Sequence, residues 1–136
     1  MTTLLTTPSV GAVVVKSFPP ITRTTLALYA GASGDHNPMH IDIDFARKAG
    51  FPDVFSQGML VMAMLGQALT DAVCPDRLRS FSTRFVAITE LGARIHCKGT
   101  VAELLEADGE KRARLQLTAK NETGDIKLSG EAVVAL

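Results

Sequence analysis

The sequence has little that would tie it to a polyanion, a membrane or an oxidising compartment. Fourteen basic residues meet fourteen acidic ones, so the formal net charge is zero. No overall field therefore favours nucleic acid or an anionic bilayer. Only two cysteines occur, Cys74 and Cys97; they lack metal-type spacing and read as reduced thiols of a cytoplasmic protein. The longest apolar run, Met59 to Leu65, is far too short to span a bilayer. The opening "MTTLLTTPSV" has no charged-then-apolar leader, and residues 1–9 are expected to form a loose N-terminal segment. No repeat, low-complexity tract or linker divides the chain. What is present is 136 residues, 46% of them hydrophobic and 21% charged. That composition implies one globular domain over residues 1–136, able to bury a core without metal or disulfide support.

Hydrophobic periodicity divides the chain into unlike halves. From Arg79 onward the period is two. Phe81, Thr83 and Phe85 alternate with Ser82 and Arg84, and Ile95, Cys97 and Val101 alternate with Arg94, His96, Lys98 and Thr100. Ala113, Leu115, Leu117 and Ala119 form a third apolar set, and Ile126 and Leu128 a fourth, flanked by Lys127 and Ser129. Turn signals at Leu91-Gly92, Asp108-Gly109 and Thr123-Gly124 separate the runs. The pattern predicts a meander of four antiparallel strands with one wet and one dry face. "VGAVVVKSF" is a further strand, stopped by Pro19-Pro20.

The first half is helical. Thr22 caps a short helix whose Leu26, Tyr29, Ala30 and Ser33 share one face, and Asp42 caps another that Gly50 and Pro52 terminate. A third helix, Gly58 to Val73, is apolar nearly all round, as expected of a helix enclosed by other structure. A buried central helix followed by antiparallel strands is an α+β arrangement, a five-stranded sheet wrapped around one helix.

"SGDHNPMH", the connector between the first two helices, concentrates the titratable groups. Polar turn residues usually serve the turn, and Asp35 and Asn37 can form Asx turns with the histidines in solvent. The alternative starts from Pro38, which fixes its own φ and restricts Asn37, so the path from Asp35 to His40 is stiff. Stiffness suits two side chains that must converge on one substrate atom. A carboxylate and an imidazole are the groups best suited to proton transfer near neutral pH.

Here "YAGASGDHNPMHIDIDFARKAGF", followed by "GML", resembles the signature of the MaoC-like hydratases, which include (R)-specific enoyl-CoA hydratases and hydroxyacyl dehydratases of the hot-dog fold. The resemblance covers the whole chain in order. It implies that Asp35 and His40 are the catalytic pair, with Gly34 and Asn37 shaping the loop. It also implies acyl thioesters of coenzyme A or acyl carrier protein as substrates, no cofactor, and a dimer whose sheets join edge to edge. Asp35 would then activate the water that attacks C3 of a 2-enoyl thioester, while His40 orients it and shuttles the proton for C2. The amide of Gly58, at the start of the third helix, is the candidate donor to the thioester oxygen. A glycine that merely begins a helix is the plainer account of the same residue. Two departures from the resemblance stand out. Many relatives read "AHGML" where this chain reads "SQGML", and Gln57 can donate a hydrogen bond but cannot carry a proton at neutral pH. Some hydratases have a serine where this chain has Ala63.

Other readings are weaker. Asp35, His36, His40, Asp42 and Asp44 do not show a spacing that converges three ligands, so no metal site is expected. His96 reads as solvated, Cys97 as packing, and Met59, Met62 and Met64 as core filling or an adaptable acyl-facing wall. A hot-dog thioesterase would place a carboxylate on or near the central helix, and Met59 to Leu69 contains no acid. A non-catalytic subunit of a heteromeric hydratase is the remaining alternative; the intact Asp35 and His40 argue against it, and Gln57 leaves room for it.

Overall fold

The computed structural model describes residues 8–136; residues 1–7 of the expected loose N-terminal segment lie outside them. Strand β1 (Val13–Ser17) ends ahead of Pro19-Pro20 and leads into α1 (Arg23–Ser33). Thr22 caps α1 by accepting the amide of Thr25 at 3.1 Å. Gly34 closes it in a left-handed conformation, φ 76°, which a side chain rarely adopts. A single 3₁₀ turn (Pro38–His40) precedes α2 (Ile43–Lys48), capped by the Asp42 carboxylate on the amides of Asp44 and Phe45. Helix α3 (Gly58–Ala72) follows, and then strands β2 (Leu78–Phe85), β3 (His96–Ala107), β4 (Glu110–Lys120) and β5 (Ile126–Ala135).

The five strands form one antiparallel sheet in the order β1-β3-β4-β5-β2. Only β3, β4 and β5 form a meander. The β3–β4 hairpin turns at Asp108-Gly109, both with positive φ, as a tight hairpin of right-handed strands needs. The expected fourth neighbour is displaced, because β2 pairs with β5 rather than β3. Segment 86–95 carries the chain across the sheet between them. Alternation reveals which face of a strand is dry, not which strand lies beside it. That freedom is what the four-strand reading missed.

Leu60, Val61, Leu65, Ala68 and Leu69 of α3 are buried in the core, facing Leu115, Leu117, Val101 and Leu128 of the sheet. The expectation of a helix enclosed all round is corrected. Met59, Ala63, Gln67 and Asp71, four residues apart, form an exposed face. One sheet covers one side of a helix, and among the described residues nothing covers the opposite side of α3. Gly66 admits the Phe81 ring rather than a backbone. Met62 and Met64 pack against the core. On α1 the buried residues are Leu26 and Ala30, with Tyr29 half-buried; Ser33 is exposed and its hydroxyl accepts the Asp35 amide. Cys97 is a core residue, and burial pushes its thiol up to about 12. His96 lies exposed, its Nδ1 2.6 Å from the Ser17 hydroxyl.

A second correction falls on β5. Alternation puts Lys127 on the wet face between Ile126 and Leu128, yet Ile126 is the exposed residue and Lys127 is 3% exposed. Ile126 pairs with Lys120 and Leu128 with Ala119, so Lys127 is an extra residue with no partner on β4. Such a bulge breaks the period of two and turns two consecutive side chains inward.

Leu65 tests the position of α3. It is 1% exposed, so Leu65→Asp places an unpaired charge in the core. The cost, several kcal/mol, is comparable with the whole stability of a small domain. Loss of the cooperative unfolding transition in circular dichroism is expected; near-wild-type unfolding would show that the helix is misplaced.

Candidate functional site

The stiff turn delivers its two titratable groups to one place. Gly34 ends α1 and reverses the chain, and Asp35 Oδ1 then accepts the Asn37 amide at 3.3 Å. Asn37 Oδ1 in turn accepts the Met39 amide at 3.1 Å, with Pro38 opening the 3₁₀ turn. These are the Asx turns of the plain reading. They coexist with the other one, because the second carboxylate oxygen of Asp35 lies 3.6 Å from Nε2 of His40. His36, between them, is exposed.

The two partners differ in exposure. The Asp35 side chain is 42% exposed and that of His40 10%. His40 is held from behind. Its Nδ1 lies 2.7 Å from the Phe55 carbonyl oxygen, and its ring meets the Phe55 ring edge-on with centroids 5.3 Å apart. A carbonyl only accepts, so Nδ1 donates and the lone pair of the neutral ring sits on Nε2, the nitrogen that faces Asp35. The Phe55 amide also donates to the Met39 carbonyl at 3.4 Å, so Phe55 grips the turn on two sides.

His40 opens on a cleft of about 370 Å³ walled by Phe55, Ser56, Gly58, Phe85, Val86, Ala87, Ile88, Thr89 and Leu128. Gly58 brings the first turn of α3 into that cleft, and no side chain caps the helix there. Its amides and the positive end of the helix dipole are thus directed at whatever the cleft binds. A Cβ on Gly58 would fall 2.9 Å from the Phe85 ring, which packs over the glycine. The reason for glycine is therefore the approach of an aromatic wall residue as well as helix initiation. A smaller apolar cavity of about 240 Å³ lies alongside, sharing Phe55 and Ile88 with the first.

Of the five residues singled out from the sequence, Asp35 and His40 meet, Asn37 shapes their turn and Gly58 lines the cleft. Gln57 does not line it. The side chain is fully buried, and its Nε2 donates to the Leu26 carbonyl of α1 at 3.0 Å. Its Oε1 has no hydrogen-bond partner among the described residues. Gln57 thus ties the start of α3 to α1, behind the cleft. Ala63 lies on the exposed face of α3. The aromatic and aliphatic wall, Phe55, Phe85, Val86 and Ile88, carried no signal in the sequence beyond its hydrophobicity. Among the described residues no group of three or more His, Cys, Asp or Glu side chains could hold a metal ion. No helix among the described residues is long and apolar enough to cross a membrane.

This geometry agrees with what the chain is similar to. The profile of the MaoC like domain matches residues 8–124. A fatty acid synthase subunit beta of Aspergillus oryzae is 38% identical over 113 residues, covering 79% of this chain and 5% of that protein. A peroxisomal enoyl-CoA hydratase 2 of Arabidopsis thaliana is 35% identical over 68 residues, covering 48% of this chain and 22% of that one. The chain thus spans only a small part of the length of these relatives. Among solved structures, an (R)-hydratase from A. caviae involved in PHA biosynthesis superimposes with a TM-score of 0.85 at 24% identity, over 96% of this chain and 98% of that one. The five-stranded sheet and central helix are the hot-dog fold. On the match of its family profile across residues 8–124, the chain belongs to the MaoC-like dehydratase family.

Proposed function

We propose that the chain is a hydratase/dehydratase that interconverts 2-enoyl and 3-hydroxyacyl thioesters of coenzyme A or acyl carrier protein. The observation that carries this reading is the 3.6 Å approach of Asp35 Oδ2 to Nε2 of His40, at the mouth of a cleft that also receives the start of α3. That separation is too long for a direct hydrogen bond and suits two acceptors that share one water molecule.

The chemistry follows from those positions. A water donating one hydrogen to Asp35 and the other to His40 Nε2 has its lone pairs free to attack C3 of the enoyl group. As the C3–O bond forms, the C2–C3 π electrons shift toward the thioester and charge develops on its oxygen. The Gly58 amide and the dipole of α3 face that charge. Asp35 takes one proton of the water; a proton delivered to C2 through the Asp35–His40 pair completes the addition of H and OH. The reverse sequence is dehydration. Phe55, Phe85, Val86 and Ile88 give the acyl chain an apolar surface and reduce the access of bulk water. The absence of an acid from α3 before Asp71 speaks against thioester hydrolysis by a helix-borne carboxylate. Asp71 itself is paired with Lys16 at the far end of the helix.

A homodimer accompanies this reading. Among the described residues the outer edge of β2 is unpaired, while Phe85, Val86 and Met59 beside it are each more than half exposed. An apolar strand edge is an aggregation hazard that pairing with a second copy removes. Light scattering at micromolar concentration is expected to give the dimer mass; a stable, active monomer contradicts this part of the proposal.

Substitution separates catalysis from turn support. Asp35→Asn retains Oδ1 as acceptor for the Asn37 amide but removes the base. Assayed on a panel of enoyl-CoA esters, its hydration rate is expected to fall by roughly 10²–10⁴ with little change in thermal unfolding. His40→Ala should cost a similar factor, and the double variant little more, because groups acting as one unit are not additive. His36→Ala should stay within several-fold of wild type. Near-wild-type rates in both Asp35→Asn and His40→Ala would refute the hydratase reading.

A further inference from the structure

We propose that Lys127 is a positioning residue, whose inward-turned ammonium holds segment 86–90 against Phe55–Ser56 and so sets where His40 sits. The inference rests on the hydratase reading for its kinetic consequence, and on the fold alone for its structural one.

Lys127 is the bulged residue of β5, and its side chain is 4% exposed. A bulge that buries an ammonium needs a reason, since withdrawing the charge from water is costly unless hydrogen bonds and an opposite charge compensate. Here both its carbonyl and its ammonium are used on one segment. Its carbonyl accepts the amides of Val86 at 2.9 Å and Ala87 at 3.4 Å. Its Nζ donates to the Ile88 carbonyl at 2.8 Å and to Glu90 Oε1 at 2.9 Å. The backbone and side chain of one residue thus grip Val86, Ala87, Ile88 and Glu90 of a connecting segment outside the named strands.

The other side of that loop meets the site. The Thr89 carbonyl accepts the Ser56 amide at 2.8 Å, and Glu90 forms an isolated antiparallel bridge with Phe55. Phe55 is the residue whose carbonyl accepts His40 Nδ1. Ser56 lies two residues before Gly58, whose amide begins α3. The path from Lys127 to the imidazole is therefore a series of hydrogen bonds through backbone groups, each with one geometry. A methylene chain of equal length would fill the same space but hold nothing at its end.

The test compares Lys127→Met and Lys127→Arg with wild type in the purified protein. One readout is amide hydrogen exchange at Ser56 and Val86; the other is kcat and KM on crotonyl-CoA. Lys127→Met is expected to speed exchange at Ser56 at least about tenfold beyond any change in core strand amides, as a local opening would. It should lower kcat roughly 10- to 100-fold, the effect of misplacing a catalytic group by about 1 Å, with a smaller change in KM. Lys127→Arg keeps a charged donor and should recover most of both. If Lys127→Met does not fold, Glu90→Gln keeps an acceptor while removing the exposed charge, and should shift both readouts in the same direction by less. Unchanged Ser56 exchange, or a kcat within twofold of an active wild type, overturns the proposal. A wild type that hydrates no enoyl thioester defeats the function above, and Ser56 exchange still decides the role of Lys127.

Discussion

A backbone carbonyl can only accept, so the 2.7 Å contact between His40 Nδ1 and the Phe55 oxygen calls for a proton on Nδ1, and in the neutral ring that leaves the lone pair on Nε2. Everything the site can do depends on that assignment. With the proton on Nδ1, Nε2 presents a lone pair to the Asp35 side, and the two groups become joint acceptors for one water. With the proton on Nε2, His40 would donate directly toward Asp35 and leave the Phe55 carbonyl buried against a bare ring nitrogen. The hydrogen bond therefore links a local feature of segment 55–56 to the reaction proposed. It explains why residues far from the reacting atoms bear on it.

The scaffold divides this labour between rigid and irregular parts. The meander β3–β4–β5 and the buried side of α3 supply the packed core, where burial of apolar side chains is the main stabilising term. The groups proposed to react, and the cleft wall beside them, sit on irregular backbone: the Asx turns at Asp35 and Asn37, the 3₁₀ turn ending at His40, and segment 86–90. Each irregular piece is tied to a regular one. Gly34 ties the turn to α1, Gln57 ties α1 to the start of α3, and Lys127 ties the cleft wall to β5.

Local chemistry was legible in the sequence wherever one residue type has one physical use. Thr22 and Asp42 cap helices, Gly50 ends one with positive φ, and Asp108-Gly109 makes a hairpin. The stiffness of the Asn37-Pro38 turn indicated that Asp35 and His40 converge, and their side chains do approach each other. Three features were not legible. Strand pairing is a choice among equivalent edges, so the place of β2 beside β5 left no trace in its alternation. The bulge at Lys127 shifts the phase by one residue, and a lysine between two apolar residues reads outward in the absence of that shift. The exposed face of α3 carries Met59 and Ala63, which look like core in sequence because apolar character does not reveal what covers it.

The protonation state of His40 is open to direct observation. Long-range ¹H–¹⁵N correlation spectroscopy on the uniformly labelled protein near neutral pH distinguishes the two tautomers by the shifts of the ring nitrogens. The account predicts a protonated Nδ1 and an unprotonated Nε2 for His40 in wild type, retained in Asp35→Asn because the Phe55 carbonyl is untouched. A His40 with its proton on Nε2 would contradict it, since that nitrogen could not then accept a hydrogen from the attacking water.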